Sequence, residues 1–152
     1  MQKLLISLAA LLATLTSGAE TSIKADAARY CGRVCIEDGS VSFDWSGVCA
    51  TVAFEGTSLC LKYSDTGCNR INVWIDREPD EKADTVLVLG HKKAVLAECL
   101  PQGRHTVTVQ KRTEGEQGRL SFHTFTTDGR FLNAGTGKDR LIEFVGDSET
   151  SG

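Results

Sequence analysis

Gly103-Arg104-His105-Thr106-Val107-Thr108-Val109-Gln110-Lys111 decides the fold. His105, Val107 and Val109 fall on one side of an extended chain, and Thr106, Thr108 and Gln110 on the other, which is the period-two alternation of a half-buried strand. The turn Pro101-Gln102-Gly103 introduces it, and the same pattern repeats outward in both directions. Upstream, Phe43 and Trp45 alternate with Ser42 and Asp44. Cys49 to Phe54 then runs through Glu55-Gly56-Thr57 into Leu59, Leu61 and Tyr63, which reads as a hairpin. Ile71, Val73 and Ile75 alternate with Asn72, Trp74 and Asp76 before the break at Glu78-Pro79-Asp80, and Thr85 to Leu89 forms another apolar run. Downstream, Leu120, Phe122 and Thr124 face one way until Asp128-Gly129 turns the chain. At least seven short strands and no convincing helical period predict an all-β chain, a jelly-roll-like antiparallel β-sandwich.

The opening residues have a different purpose. Lys3 precedes an apolar stretch from Leu4 to Leu15, and the small residues Ser17 and Ala19 lead to a cut before Glu20, as in an export signal. The apolar stretch is shorter than the ~20 residues a membrane-spanning helix needs, so a secreted or periplasmic product without a membrane partner is expected. Residues 20–139 then make one sandwich domain. The net charge of −3 becomes −4 once Lys3 is removed, with both signs scattered, which argues against nucleic acid as a partner. Six cysteines, Cys31, Cys35, Cys49, Cys60, Cys68 and Cys99, in an exported chain predict at least two disulfides; the tight pairs of a zinc site are absent and no pairing follows from sequence.

Residues 140–152 break the alternation. Arg140-Leu141-Ile142-Glu143-Phe144-Val145 is nearly continuous in apolar character, as in a strand buried on both faces of a parallel sheet, and Gly146-Asp147-Ser148 follows at once. A buried strand opening into a small-residue turn is how α/β hydrolases present a serine nucleophile.

These residues, IEFVGDSETSG from Ile142 to Gly152, resemble the first block of the SGNH, or GDSL-type, hydrolases. The upstream chain resembles the N-terminal domain of carbohydrate esterase family 2, the acetyl xylan esterases and their relatives. That resemblance rests on Cys31-Gly32-Arg33, FDWSG (Phe43 to Gly47), FEGTSL (Phe54 to Leu59), NVWID (Asn72 to Asp76), GRHTVTVQKRTE (Gly103 to Glu114) and RLIEFVGDS (Arg140 to Ser148), in that order. It implies a jelly-roll domain ahead of an SGNH catalytic domain of which residues 140–152 are the first strand and nucleophile turn. It also implies that Ser148 is the nucleophile, its backbone N–H one oxyanion donor, and acetylated, xylan-like plant polysaccharide the partner of the complete protein. Glu149 and Ser151 depart from the usual apolar residue and cysteine of that block. The later glycine, asparagine and histidine that complete the family's oxyanion hole and supply its base have no counterpart here, so the 152-residue chain is expected to be inactive alone.

Other residues invite chemistry less strongly. His91, His105 and His123 match no catalytic position, and His105 reads as packing. Trp45 shares a face with Phe43 and reads as core, whereas Trp74 shares one with Asn72 and Asp76 and is the candidate ligand platform. Lys111-Arg112-Thr113-Glu114 reads as a solvated strand end or a face toward the catalytic domain. Asp65, Asp76 and Asp128 stand beside turns and read as turn caps rather than a calcium site. Serine acyl transfer needs no cofactor and no metal, and none is expected. The alternative function is a stand-alone, non-catalytic carbohydrate-binding or scaffold module.

Overall fold

The computed structural model describes residues 20–79, 82–90, 92–136 and 145–146. Among the described residues are twelve strands: β1 (Thr21–Lys24), β2 (Arg29–Cys31), β3 (Cys35–Glu37), β4 (Ser40–Phe43), β5 (Cys49–Gly56), β6 (Leu59–Asp65), β7 (Arg70–Ile75), β8 (Thr85–Val88), β9 (Lys93–Ala97), β10 (Gly103–Lys111), β11 (Leu120–Thr127) and β12 (Arg130–Leu132). They form two antiparallel sheets, ordered β3-β4-β11-β6-β9 with β1 beside β11, and β12-β5-β10-β7-β8 with β2 beside β5. From β4 to β12 the chain crosses repeatedly between the sheets, which gives the expected β-sandwich. The only described helix is of 3₁₀ type, in two short turns at Ala25–Ala27 and Gly115–Gln117.

The decisive stretch is the centre of its sheet. β10 pairs with β5 from Gly103 opposite Gly56 to Gln110 opposite Cys49, and on its other side with β7 from Val107 opposite Ile75 to Lys111 opposite Ile71. Val107 and Val109 are fully buried, as the alternation requires, and meet Phe54, Ile71, Val73, Leu59, Leu61 and Phe122 between the sheets. Burying side chains of this size stabilises by about 1.5–3 kcal/mol each. Phe122 stands edge-on to both Phe43 and Phe125, with ring centres 4.9 and 6.1 Å apart.

Three features depart from the sequence expectation. The segments on either side of Glu55-Gly56-Thr57 do not form the expected hairpin, because the chain crosses there from one sheet to the other: β5 pairs with β10, β12 and β2, and β6 with β11 and β9. Thr124 does not continue the face of Leu120 and Phe122. The register of β11 against β6 shifts between Phe122 and Thr124, and this bulge puts Phe125 in the core instead. The edge strands β1, β2, β3, β9 and β12 were outside the expected set, because three to five residues are too few for an alternation to stand out.

Candidate functional site

Ser148, the apolar block from Arg140 to Phe144, the export signal (residues 1–19) and His91 lie outside the described residues. Of the nucleophile block the structure describes only Val145 and Gly146, both exposed. The two remaining histidines are each held at both ring nitrogens. His105, 9% exposed, bonds Asp76 through Nδ1 at 2.7 Å and the Pro101 carbonyl through Nε2 at 2.7 Å. The hydrogen bond to Asp76 raises its pKa above the ordinary histidine value, with help from the Pro101 carbonyl. His123 sits between the hydroxyls of Ser40 (3.0 Å) and Ser64 (2.7 Å).

The aspartates beside turns bind the backbone around them. Asp65 accepts from the Gly67 and Asn69 N–H groups, and Asp76 from the Thr106 N–H. Asp128 accepts from the Thr57 and Ser58 N–H groups and from the Thr57 hydroxyl. Burial tends to raise the Asp128 pKa, but those donors together outweigh it and hold the carboxyl at about 2.

The two tryptophans exchange their expected places. Trp74 is 2% exposed and therefore no platform. It does point to the outer face with Asn72, but residues after β7 close over it: the Lys82 carbonyl accepts from Trp74 Nε1 at 3.2 Å and from the Arg77 guanidinium, and Arg77 pairs with Asp84 at 3.0 Å. Trp45 is 59% exposed and not core. β4 ends at Phe43, so its alternation does not extend to Trp45, which belongs to the loop Asp44 to Val48.

That loop is tied to the end of β10. The Gly47 N–H donates to the Lys111 carbonyl at 2.8 Å, the Lys111 N–H to the Val48 carbonyl at 2.9 Å, and the Ser46 hydroxyl to the Glu114 carboxylate at 3.1 and 3.2 Å. Lys111 is not a solvated strand end. It is 1% exposed, and its ammonium donates to the carbonyls of Thr113 (2.5 Å) and Glu114 (2.9 Å). Burial pushes its pKa down, while Glu114, Asp44 and Asp65 pull it back up. Gly47 turns the loop at φ +81°. Gly32, at φ +109°, lets the segment after β2 pass under the loop, where a Cβ would come within 3.0 Å of Val48 Cγ2.

The result is a shallow groove of about 340 Å³ lined by Gly32, Arg33, Trp45, Ser46, Gly47 and Val48. The Arg33 guanidinium carbon stands 5.8 Å from the Trp45 ring centre. A flat indole rimmed by a hydroxyl and a guanidinium is suited to holding a partly apolar ring rather than to making or breaking bonds. Among the described residues no group of three or more His, Cys, Asp or Glu could hold a metal ion. Sequence reasoning missed this groove because it assigned Trp45 by strand parity; the Gly47 beside it marked a loop.

All six cysteines stand as free thiols, in place of the two or more bridges expected. Their distribution favours few bridges: Cys35 and Cys60 face residues of other types across the ladders, Cys68 and Cys99 lie in loops, and only Cys31 and Cys49 are register partners.

A family model described as carbohydrate esterase 2 N-terminal matches residues 30–134. The chain belongs to this family. It is 34% identical over 127 residues to an acetylxylan esterase / glucomannan deacetylase of Cellvibrio japonicus, covering 80% of this chain and 34% of that protein. The solved family two carbohydrate esterase from the same organism superimposes with a TM-score of 0.71 at 26% identity, over 80% of this chain and 37% of the other. A family two esterase of Clostridium thermocellum, solved in complex with cellohexaose, gives 0.69 at 27% identity, over 80% and 37%. The chain thus spans about a third of the length of the curated relative. Among the described residues no helix is long and apolar enough to cross a membrane.

Proposed function

We propose that this chain is the N-terminal accessory portion of an exported carbohydrate esterase that removes acetyl groups from plant polysaccharide. In this reading residues 1–19 are the export signal, residues 20–139 the sandwich domain, and residues 140–152 the first strand and nucleophile turn of an SGNH hydrolase domain, with Ser148 as nucleophile. One observation carries it: the family match covers the sandwich from Tyr30 to Ala134 and leaves the RLIEFVGDS block immediately beyond. The relative of Cellvibrio japonicus, named for deacetylation, is about three times as long as the matched portion.

The chemistry divides accordingly. A serine hydroxyl attacks an acetyl carbonyl only when a base takes its proton and donors stabilise the oxyanion that forms. His105 and His123 have both ring nitrogens occupied within the sandwich, which suits them to structure rather than proton transfer. Ser148 contributes its hydroxyl and one backbone N–H, and a catalytic domain contributes the rest. The sandwich contributes the Trp45 groove as a surface on which a sugar ring can stack.

An acetyl-ester assay tests this by comparing the 152-residue chain with a version that carries whatever its reading frame encodes beyond Gly152. The short chain is expected to match a serine-free control and the longer one to be active, with Ser148→Ala reducing its rate at least ~10²-fold. Turnover by the short chain that is lost on Ser148→Ala would overturn the division of labour.

A further inference from the structure

Cys31 ends β2, Cys49 opens β5, and the two are direct partners across the antiparallel ladder. Their neighbours show the register at work. Arg29 stands opposite Thr51, and its guanidinium donates to Thr51 Oγ1 at 3.3 Å. Residues two apart on a strand share a face, so both thiols project from the outer face of the sheet beside that pair. Opposed Cα atoms in an antiparallel ladder lie about 4.5 or 5.5 Å apart. Either separation falls inside the ~4.4–6.8 Å that a disulfide spans.

The remaining cysteines have no such partner. Cys35 faces Ser42, and Cys60 lies between Val95 and Thr126. Cys68 and Cys99 lie in loops outside the strands.

We propose that Cys31 and Cys49 are a redox modification site, closing a cross-strand disulfide when the chain meets a small disulfide oxidant such as oxidised glutathione. The exposed Cys31 is the entering nucleophile. Its thiolate attacks one sulfur of the oxidant, forming a mixed disulfide and releasing one glutathione thiolate. Cys49 is half-buried, donates to the Gly47 carbonyl at 3.2 Å, and has its pKa raised by burial. It loses its proton to water, attacks the Cys31 sulfur and expels the second glutathione. Two protein thiols are oxidised, one glutathione disulfide is reduced to two thiols, and the two protons released from the cysteines are taken up by them.

The bond would do more than join adjacent strands. Between Cys31 and Cys49 the chain leaves its sheet, builds β3 and β4 in the opposite sheet and returns through the Trp45 loop. Closing that excursion at its base joins the two segments that line the groove, the one after Cys31 and the one before Cys49.

The test equilibrates the purified 152-residue chain with oxidised glutathione, alkylates it without reduction, and digests it with trypsin and a glutamate-specific protease. Cleavage after Arg29 and Arg33, and after Glu37 and Glu55, isolates Cys31 and Cys49 on separate peptides that contain no other cysteine. A linked pair of those peptides is expected, 2 Da lighter than their sum, both in the wild type and in Cys60→Ser. Alkylation of both cysteines, persistence of glutathione on Cys31, or linkage of Cys31 to a different cysteine would overturn the proposal. Where the bond forms in nature rests on the export reading above. The assay sets its own redox poise and measures no esterase activity, so either idea can fail without the other.

Discussion

The surroundings of Trp74 and Trp45 are two answers to the same problem, an indole beside a strand. Trp74 lies within β7 on the outward face, one residue before the strand ends, yet it is buried because residues after β7 lie across it, and its N–H finds the Lys82 carbonyl. Trp45 follows the last core residue of β4 and is exposed, because the chain stops being a strand at Phe43 and the loop is pinned from below by β10. Strand parity says which way a side chain points. It does not say whether another segment covers that direction, or where the strand ends.

The largest expected effect tests the buried member. Trp74→Ala removes one of the bulkiest fully enclosed side chains and one of the donors to the Lys82 carbonyl, and should cost about 3–5 kcal/mol. Urea unfolding followed by circular dichroism checks this. A cost below ~1 kcal/mol would mean that the covering residues are open in solution.

Next comes the pin beneath the exposed member. Lys111→Met keeps the apolar stem but leaves the Thr113 and Glu114 carbonyls without their ammonium donor, and should cost about 1–3 kcal/mol. Hydrogen exchange should accelerate at Gly47, whose N–H donates to the Lys111 carbonyl, while the amides of β7 around Trp74 stay protected. Equal acceleration in both places would show that the loop is not separately anchored by Lys111.

How much of this was legible follows from particular residues. Val107 and Val109 announced the central strand because its alternation is long and both neighbours obey it. Phe125 could not be assigned, since a one-residue bulge inverts parity and no residue near it, such as glycine, marks the spot. Lys111 looked solvated because lysines are seldom enclosed, and the carbonyls that enclose it belong to a turn two and three residues on. The Trp45 groove was half legible: Gly47 signalled the turn, but the Ser46 contact with Glu114 links residues far apart in the chain.

A smaller pair of effects contrasts the two ends of the pH scale. Asp128 has a folded pKa of about 2, below the ~3.9 of an unfolded aspartate, so its contribution is complete at neutral pH and is lost as pH falls from about 5 toward 2. His105 has a raised pKa, so its contribution is complete below ~6.5 and is lost as pH rises through the folded value. Asp128→Asn should flatten the acid limb of a stability–pH curve and cost about 1–2 kcal/mol at pH 7. Asp76→Asn should lower the His105 titration midpoint seen by NMR and flatten the limb just above it. If His105 titrates at its ordinary value in the unaltered protein, its bond to Asp76 does not persist in solution.

The smallest effect completes the comparison and is the most discriminating. Trp45→Ala gives up contact with the Arg33 guanidinium and little else, since an exposed cation–π pair is worth about 0.5–1 kcal/mol. Its stability cost should therefore stay below ~1 kcal/mol, several times less than that of Trp74→Ala. Fluorescence separates the two indoles directly, because the chain contains no others. In the wild type a water-quenchable, red-shifted component from Trp45 should overlie a shielded, blue-shifted one from Trp74. Trp45→Ala should remove the first, so that acrylamide quenches the remaining emission only weakly. Unchanged quenching after this substitution would mean that Trp45 is covered in solution, and the groove it lines would then be closed to any ligand.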